Sequence, residues 1–160
     1  MINIKYRYLP IRCETLELRN EIQKILNLLD YGEYDIGILL TDNATIKKYN
    51  KEYRDKDEPT DILSFSFHPS LKPGERIQPK TEEDKNLGDL IISLEYVEVD
   101  APKWGQLFDE RMRILFVHGI CHLLGYKHDA DEEYQVMKKQ EDYLLEKLAK
   151  DKKLAKYFEQ

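Results

Sequence analysis

The stretch on which the reading of this chain turns is His118-Gly119-Ile120-Cys121-His122-Leu123-Leu124-Gly125-Tyr126-Lys127-His128. It closes a segment, Gln106 to Leu124, whose near-continuous apolar content predicts a long, mostly buried helix. Residues four apart on a helix lie one turn up the same face, so His118 and His122 can aim their imidazoles at one ion. His128 would be far along the axis if the helix ran on. Gly125 can adopt the left-handed backbone that stops a helix and turns the chain back, which brings the third imidazole within reach. Three neutral nitrogen ligands suit one Zn²⁺ per chain and leave a coordination position open, as in catalytic rather than structural sites. The same donors also accept other divalent transition metals such as Ni²⁺ or Cu²⁺. Cys121 points away from His122 on the helix and reads as a small core residue.

Working outward, Ile2, Ile4, Tyr6 and Tyr8 alternate with polar residues as a strand with one buried face does. Leu18, Ile22, Ile25, Leu26 and Leu29 recur at helical spacing, with Gly32 as the terminator. Tyr34 to Thr41 alternates as a second strand, and Asp42 or Asn43 offers a cap for a helix running to about Tyr53. Thr60 to Phe67 follows Pro59 as a third strand. Leu87 to Ile92 makes a fourth, and Ser93 caps a short helix ending before Pro102. Between these two strands, residues 68–86 form a proline-rich connection long enough to predict a mobile or functional loop. Downstream of the histidines, Tyr134, Met137, Leu144, Leu145 and Leu148 form the stripe of a last helix with Asp131 as its cap. The expected fold is α+β: one domain over residues 1–160, with a small mixed sheet of about four strands packed by helices.

Composition narrows the function classes. Twenty-five Lys and Arg stand against thirty-one Asp and Glu, a net charge of −6, which excludes a uniformly basic nucleic-acid-binding surface. Two isolated cysteines are too few for a disulfide framework or a four-cysteine zinc site. No apolar run is long enough to span a bilayer and the first ten residues lack a signal peptide's pattern, so a cytoplasmic location and no membrane partner are expected.

The spacing H-x3-H-x5-H, with its glycine, matches the metzincin protease pattern H-E-x-x-H-x-x-G-x-x-H. Where those proteases carry the glutamate that takes a proton from water, this chain has Gly119. A positioned general base is worth roughly 10² to 10⁴ in rate, so the missing side chain counts against peptide hydrolysis by that route.

The block H-G-x-x-H-L-x-G-x-x-H resembles the signature of the YbeY metalloproteins, bacterial single-strand-specific endoribonucleases and rRNA maturation factors. Asn50, Tyr53-Arg54 and Lys56-Asp57-Glu58-Pro59-Thr60-Asp61-Ile62-Leu63-Ser64-Phe65 resemble a second block of that family, Leu87-Gly88-Asp89 with Ile91 and Ser93 a third, and Met137 with Glu141 the last. The likeness runs from Ile36 to Glu141. It implies a compact α+β fold, one zinc on His118, His122 and His128, and action on single-stranded ribosomal RNA. The implied work is maturation of the small-subunit 3′ end and ribosome quality control, with the ribosome as partner and no DNA substrate. Cleavage could proceed through an activated water or through the adjacent 2′-hydroxyl, which leave different ends.

His118 and Arg54 are the candidate catalytic residues. Arg54, at the family's arginine position, offers a permanently charged fork for two phosphate oxygens. Lys47, Lys48, Lys51, Arg54 and Lys56 outnumber Glu52 and Asp55, giving a basic patch in which Lys51 and Lys56 join Arg54 as candidate RNA contacts. Asp57 to Asp61 reads as turn chemistry. Asp129 can orient the His128 ring, act as a base, or start the last helix. Glu141 lies in line with the apolar stripe, which makes it a candidate buried acceptor for a ligand histidine. His68 has no assigned partner, and the Lys-rich end, Lys150 to Lys156, no assigned role. Two other classes compete: a metal-dependent amide or ester hydrolase, and a non-catalytic ribosome-assembly factor with a zinc site.

Overall fold

Alternation at the start of the chain builds β1 (Ile2–Tyr6), and after the short β2 (Arg12–Cys13) the three-and-four spacing of Leu18, Ile22, Ile25 and Leu26 builds α1 (Thr15–Leu28) with that face buried. There follow β3 (Asp35–Thr41), α2 (Asn43–Arg54), β4 (Ile62–Ser66), β5 (Asn86–Ser93), α3 (Leu94–Asp100), α4 (Phe108–Leu123), α5 (Asp131–Ala149) and β6 (Phe158–Glu159). This is a computed structural model, and it describes residues 1–150 with 158–159. Residues Lys152, Lys153 and Lys156 of the Lys-rich end lie outside the described residues.

The main sheet has the strand order β1-β3-β5-β4, in which β1, β3 and β5 run parallel and β4 runs antiparallel to β5. A single α+β domain with a four-stranded mixed sheet results, as the element order predicts. One face of the sheet carries Ile36, Ile38, Leu90 and Ile92 into the main core, where α1 and α4 cover it and α5 packs on both helices. On the other face, α2 seals a smaller cluster of Ile46, Leu63 and Ile91. Glu21 of α1 and Arg113 of α4 meet inside the core, with Arg113 Nε donating to Glu21 Oε1 at 2.6 Å and Nη2 to Oε2 at 3.2 Å. No helix among the described residues is long and apolar enough to cross a membrane.

Several ends differ from expectation. Asp42 is the cap of α2, accepting from the Thr45 N–H at 2.9 Å, and Ser93 caps α3 by accepting from Tyr96 N–H at 3.1 Å. Past α1, however, the left-handed residue is Asp30 (φ 60°) rather than Gly32, since a short acidic side chain tolerates that region. Asp131 is the first residue inside α5. The cap position is Ala130, whose N–H donates to Glu133 three residues on at 3.2 Å. The buried stripe of α5 starts at Met137, while Tyr134 is 49% exposed, because a stripe read from spacing does not reveal where the neighbouring element ends. The 68–86 connection is anchored: the Ile77 N–H donates to the Tyr31 hydroxyl at 3.0 Å, and Arg76 donates to the carbonyls of Leu29 and Asp30.

Candidate metal centre

Successive turns of α4 put His118 and His122 on one face, half-buried, with ring centroids 4.6 Å apart. α4 then ends as Gly125 takes φ +95°, and the Tyr126 N–H returns to the Cys121 carbonyl at 3.1 Å. A β-carbon at Gly125 would stand 2.1 Å from the Leu71 carbonyl oxygen, so the turn needs glycine for space as well as for conformation. It sets the His128 ring 5.4 Å from His118 and 4.9 Å from His122. One ligand atom from each of the three rings lies within 4.8 Å of the others.

Hydrogen bonds orient these rings. His118 Nδ1–H donates to Glu141 Oε2 at 3.0 Å, reaching from α4 to α5, and His122 Nδ1–H donates to the Tyr126 carbonyl at 2.8 Å. Because a carboxylate and a carbonyl only accept, each Nδ1 carries the proton and each Nε2 presents a lone pair. The two Nε2 atoms face each other at 3.1 Å. Two lone pairs so placed repel, and a cation between them removes the repulsion. Nitrogens about 2.0–2.1 Å from one tetrahedral zinc stand roughly 3.3 Å apart, a separation that this pair nearly has, with a His128 nitrogen within 4.8 Å of both. Burial, then the neighbouring His118, pushes the His122 imidazole down to about 4, which keeps it neutral and able to ligate.

Gly119 explains itself by packing. A β-carbon there would meet Ile62 Cδ1 at 2.7 Å and Leu90 Cδ2 at 2.8 Å, so this side of α4 is pressed onto the sheet. A glutamate at this position would require the ends of the Ile62 and Leu90 side chains to shift. Cys121 is fully buried, and burial pushes its thiol up, as a core residue requires.

A cleft of about 680 Å³ opens beside the histidines. Arg54, at the end of α2, lines it and donates from Nη2 to the Ser64 carbonyl at 3.3 Å. Its place depends on the turn after α2, where Asp55 is left-handed and the buried Asn50 amide donates to the Glu58 carbonyl at 2.8 Å. Lys56 also lines the cleft. Lys51 does not: it points to Asp57 at 3.9 Å, and Lys47 approaches the same carboxylate at 4.0 Å. Asp129 lies exposed on the rim without a hydrogen bond to His128, and it does not start α5. Asp61 is occupied by the turn, with Oδ1 accepting from the Ile62 N–H at 2.7 Å and Oδ2 facing Arg111 at 3.4 Å.

Spacing alone left two wall residues unassigned. Ser66 donates to the Leu123 carbonyl at 2.8 Å and so fixes the end of α4. His68 donates from Nε2 to the Asp84 carbonyl at 2.7 Å and lines the same cleft. Both continue the alternation Ile62, Ser64, Ser66, His68, which was the available signal.

The chain is similar to known proteins over most of its length. The family described as Endoribonuclease YbeY matches residues 3–149. A human protein named Endoribonuclease YbeY is 38% identical over 144 residues, covering 90% of this chain and 84% of its own. One of the same name from Fusobacterium nucleatum is 39% identical over 142 residues, covering 82% and 80%. Among solved structures, TM1509 from Thermotoga maritima superposes with a TM-score of 0.56 at 22% identity, covering 94% of this chain and 93% of that one, a likeness of fold.

Proposed function

Because this chain belongs to the endoribonuclease YbeY family, we propose that it cuts single-stranded RNA at a metal centre held by His118, His122 and His128. The observation that carries the reading is the pairing, across one cleft, of three inward-facing imidazoles with the Arg54 guanidinium. Zinc is the preferred ion for this donor set, and the chemistry it supplies when bound is Lewis acidity toward a phosphate oxygen and an attacking hydroxyl. Arg54 holds the non-bridging phosphate oxygens as negative charge builds on them. Lys56 attracts the chain's neighbouring phosphate, and Glu141 keeps the His118 ring oriented.

The substrate is ribosomal RNA, at the small-subunit 3′ end, with the ribosome as partner and the cytoplasm as location. Residues 1–160 act as one catalytic domain. The test is cleavage of a labelled single-stranded rRNA 3′ fragment by zinc-loaded protein, beside chelated protein, His118→Ala and Arg54→Ala, with folding of each checked by circular dichroism. The expected result is loss of cutting on chelation and with His118→Ala, and a fall of about 10²-fold with Arg54→Ala. Equal cutting in all samples would refute the reading.

A further inference from the structure

On the sheet face away from the histidines, α2 leaves part of the surface uncovered, and a groove of about 420 Å³ remains there. Its floor is one row of the sheet: Asn3 pairs Gly37, Gly37 pairs Asp89 and Asp89 pairs Phe65. Gly37 leaves open the space that the Asp89 side chain occupies, since a β-carbon there would lie 2.2 Å from Asp89 Oδ1 and the carboxylate would have to move aside. The Asp89 carboxylate therefore lies across the glycine, exposed, without a hydrogen bond or ion pair among the described residues. Lys5 lines the same groove. Aromatic rings form its wall: Tyr53, 59% exposed, meets Phe65 edge-on at 5.2 Å and lies nearly parallel to Tyr49 at 6.2 Å.

An exposed ring, a free carboxylate and a nearby cation together match a nucleotide: the ring stacks on a base, the cation meets its phosphate, and the carboxylate accepts from the base edge. Guanine alone among the four bases presents two adjacent N–H donors, at N1 and N2, to a two-oxygen acceptor. We propose that this groove is a nucleobase subsite selective for guanine, holding a base of the RNA strand outside the metal cleft. Only the identity of the polymer rests on the endoribonuclease reading. Connection between the two sites is built into neighbouring residues. Tyr53 and Arg54 end α2 side by side, and Ser64 and Phe65 are neighbours on the edge strand β4, yet Arg54 and Ser64 line the cleft while Tyr53 and Phe65 line the groove. A single strand crossing the β4 edge passes from one to the other.

The experiment is titration of the full chain, in chelator, with GMP, AMP, CMP and UMP, followed by backbone amide NMR shifts at Gly37, Leu39 and Asp89. GMP should bind there at least roughly fivefold more tightly than the other three nucleotides. Tyr53→Leu should weaken binding of all four by about fivefold or more. Asp89→Asn, a change at an exposed site whose folding is checked by thermal melting, should transfer the preference from guanine to adenine, which an amide pairs with through one donor and one acceptor. Equal shifts with all four nucleotides, no shift at these amides, or an unchanged guanine preference in Asp89→Asn would overturn the assignment. So would saturation of the groove by peptides and not by nucleotides, which would make it a protein-docking surface. RNA cleavage by zinc-loaded protein is read separately. An inactive chain that binds GMP in the groove defeats the nuclease reading alone, and an active chain that does not bind GMP there defeats this inference alone.

Discussion

Replacing Gly125 with alanine should weaken metal binding by more than its cost to the fold would suggest. At φ +95° an L residue is strained, and such strain costs of order 1–3 kcal/mol. The added methyl would also lie 2.1 Å from the Leu71 carbonyl oxygen, so one segment must retreat by roughly 1 Å to restore ordinary van der Waals contact. That retreat falls on the turn that carries His128 and the Tyr126 carbonyl, the acceptor for His122. Metal–ligand distances tolerate only about 0.2 Å, so two of the three imidazoles lose their geometry and zinc affinity should drop at least roughly tenfold. Gly105 provides the control. It too has positive φ, 66°, but nothing lies within 4 Å of its β-carbon position. Gly105→Ala should cost about 1 kcal/mol in urea unfolding and leave zinc affinity unchanged. Affinity is read by competition with a chromophoric chelator and stability by urea unfolding of metal-free protein. Were Gly125→Ala to bind zinc as tightly as Gly105→Ala, the turn would not be what holds the third ligand in place.

Glu141→Ala should raise the zinc dissociation constant about 10–100-fold while the fold survives, since it removes only the acceptor that fixes the His118 ring, and the chelator competition reads this directly. Glu21→Ala removes the carboxylate that accepts from Arg113 Nε and Nη2 inside the core and should cost about 3–5 kcal/mol in urea unfolding. Asp42→Ala should cost about 1 kcal/mol through loss of the α2 cap. The Thr45 N–H holds the Asp42 carboxyl below its ordinary value. The stability it contributes is therefore complete above the unfolded value near 4 and is lost as pH falls through the lower, folded value. Asp42→Asn keeps the cap and should flatten that part of the pH–stability profile, measured by thermal melting between pH 5 and 2.

Local chemistry made much of this molecule readable in advance. Alternation and three-and-four spacing report which side of an element is buried, so β1, β3, β5, α1 and α4 were legible from their own residues. Asp42 and Ser93 act on N–H groups three residues away, and the turn at Gly125 depends on a single residue's freedom. Such interactions require no knowledge of distant chain. By the same logic, the spacing alone showed that His118, His122 and His128 could come together as a group able to hold one metal ion.

What spacing could not carry were contacts between segments far apart in the chain. That Lys51 turns to Asp57 while Lys56 faces the cleft depends on the path of the chain after α2. Asp30, which tolerates the left-handed region, takes that position although Gly32 would adopt it more readily, and Tyr134 stays outside the core, because packing decides where an element ends. The strand order β1-β3-β5-β4, which periodicity does not encode, brings Gly119 against the side-chain ends of Ile62 and Leu90. Residue spacing thus determined which side chains can share a face. Only the packing of α4 against β4, β5 and α5 decided that Arg54 would line the same cleft as the imidazoles and that Glu141 would reach His118, because both arrangements join segments whose separation is set by the whole core.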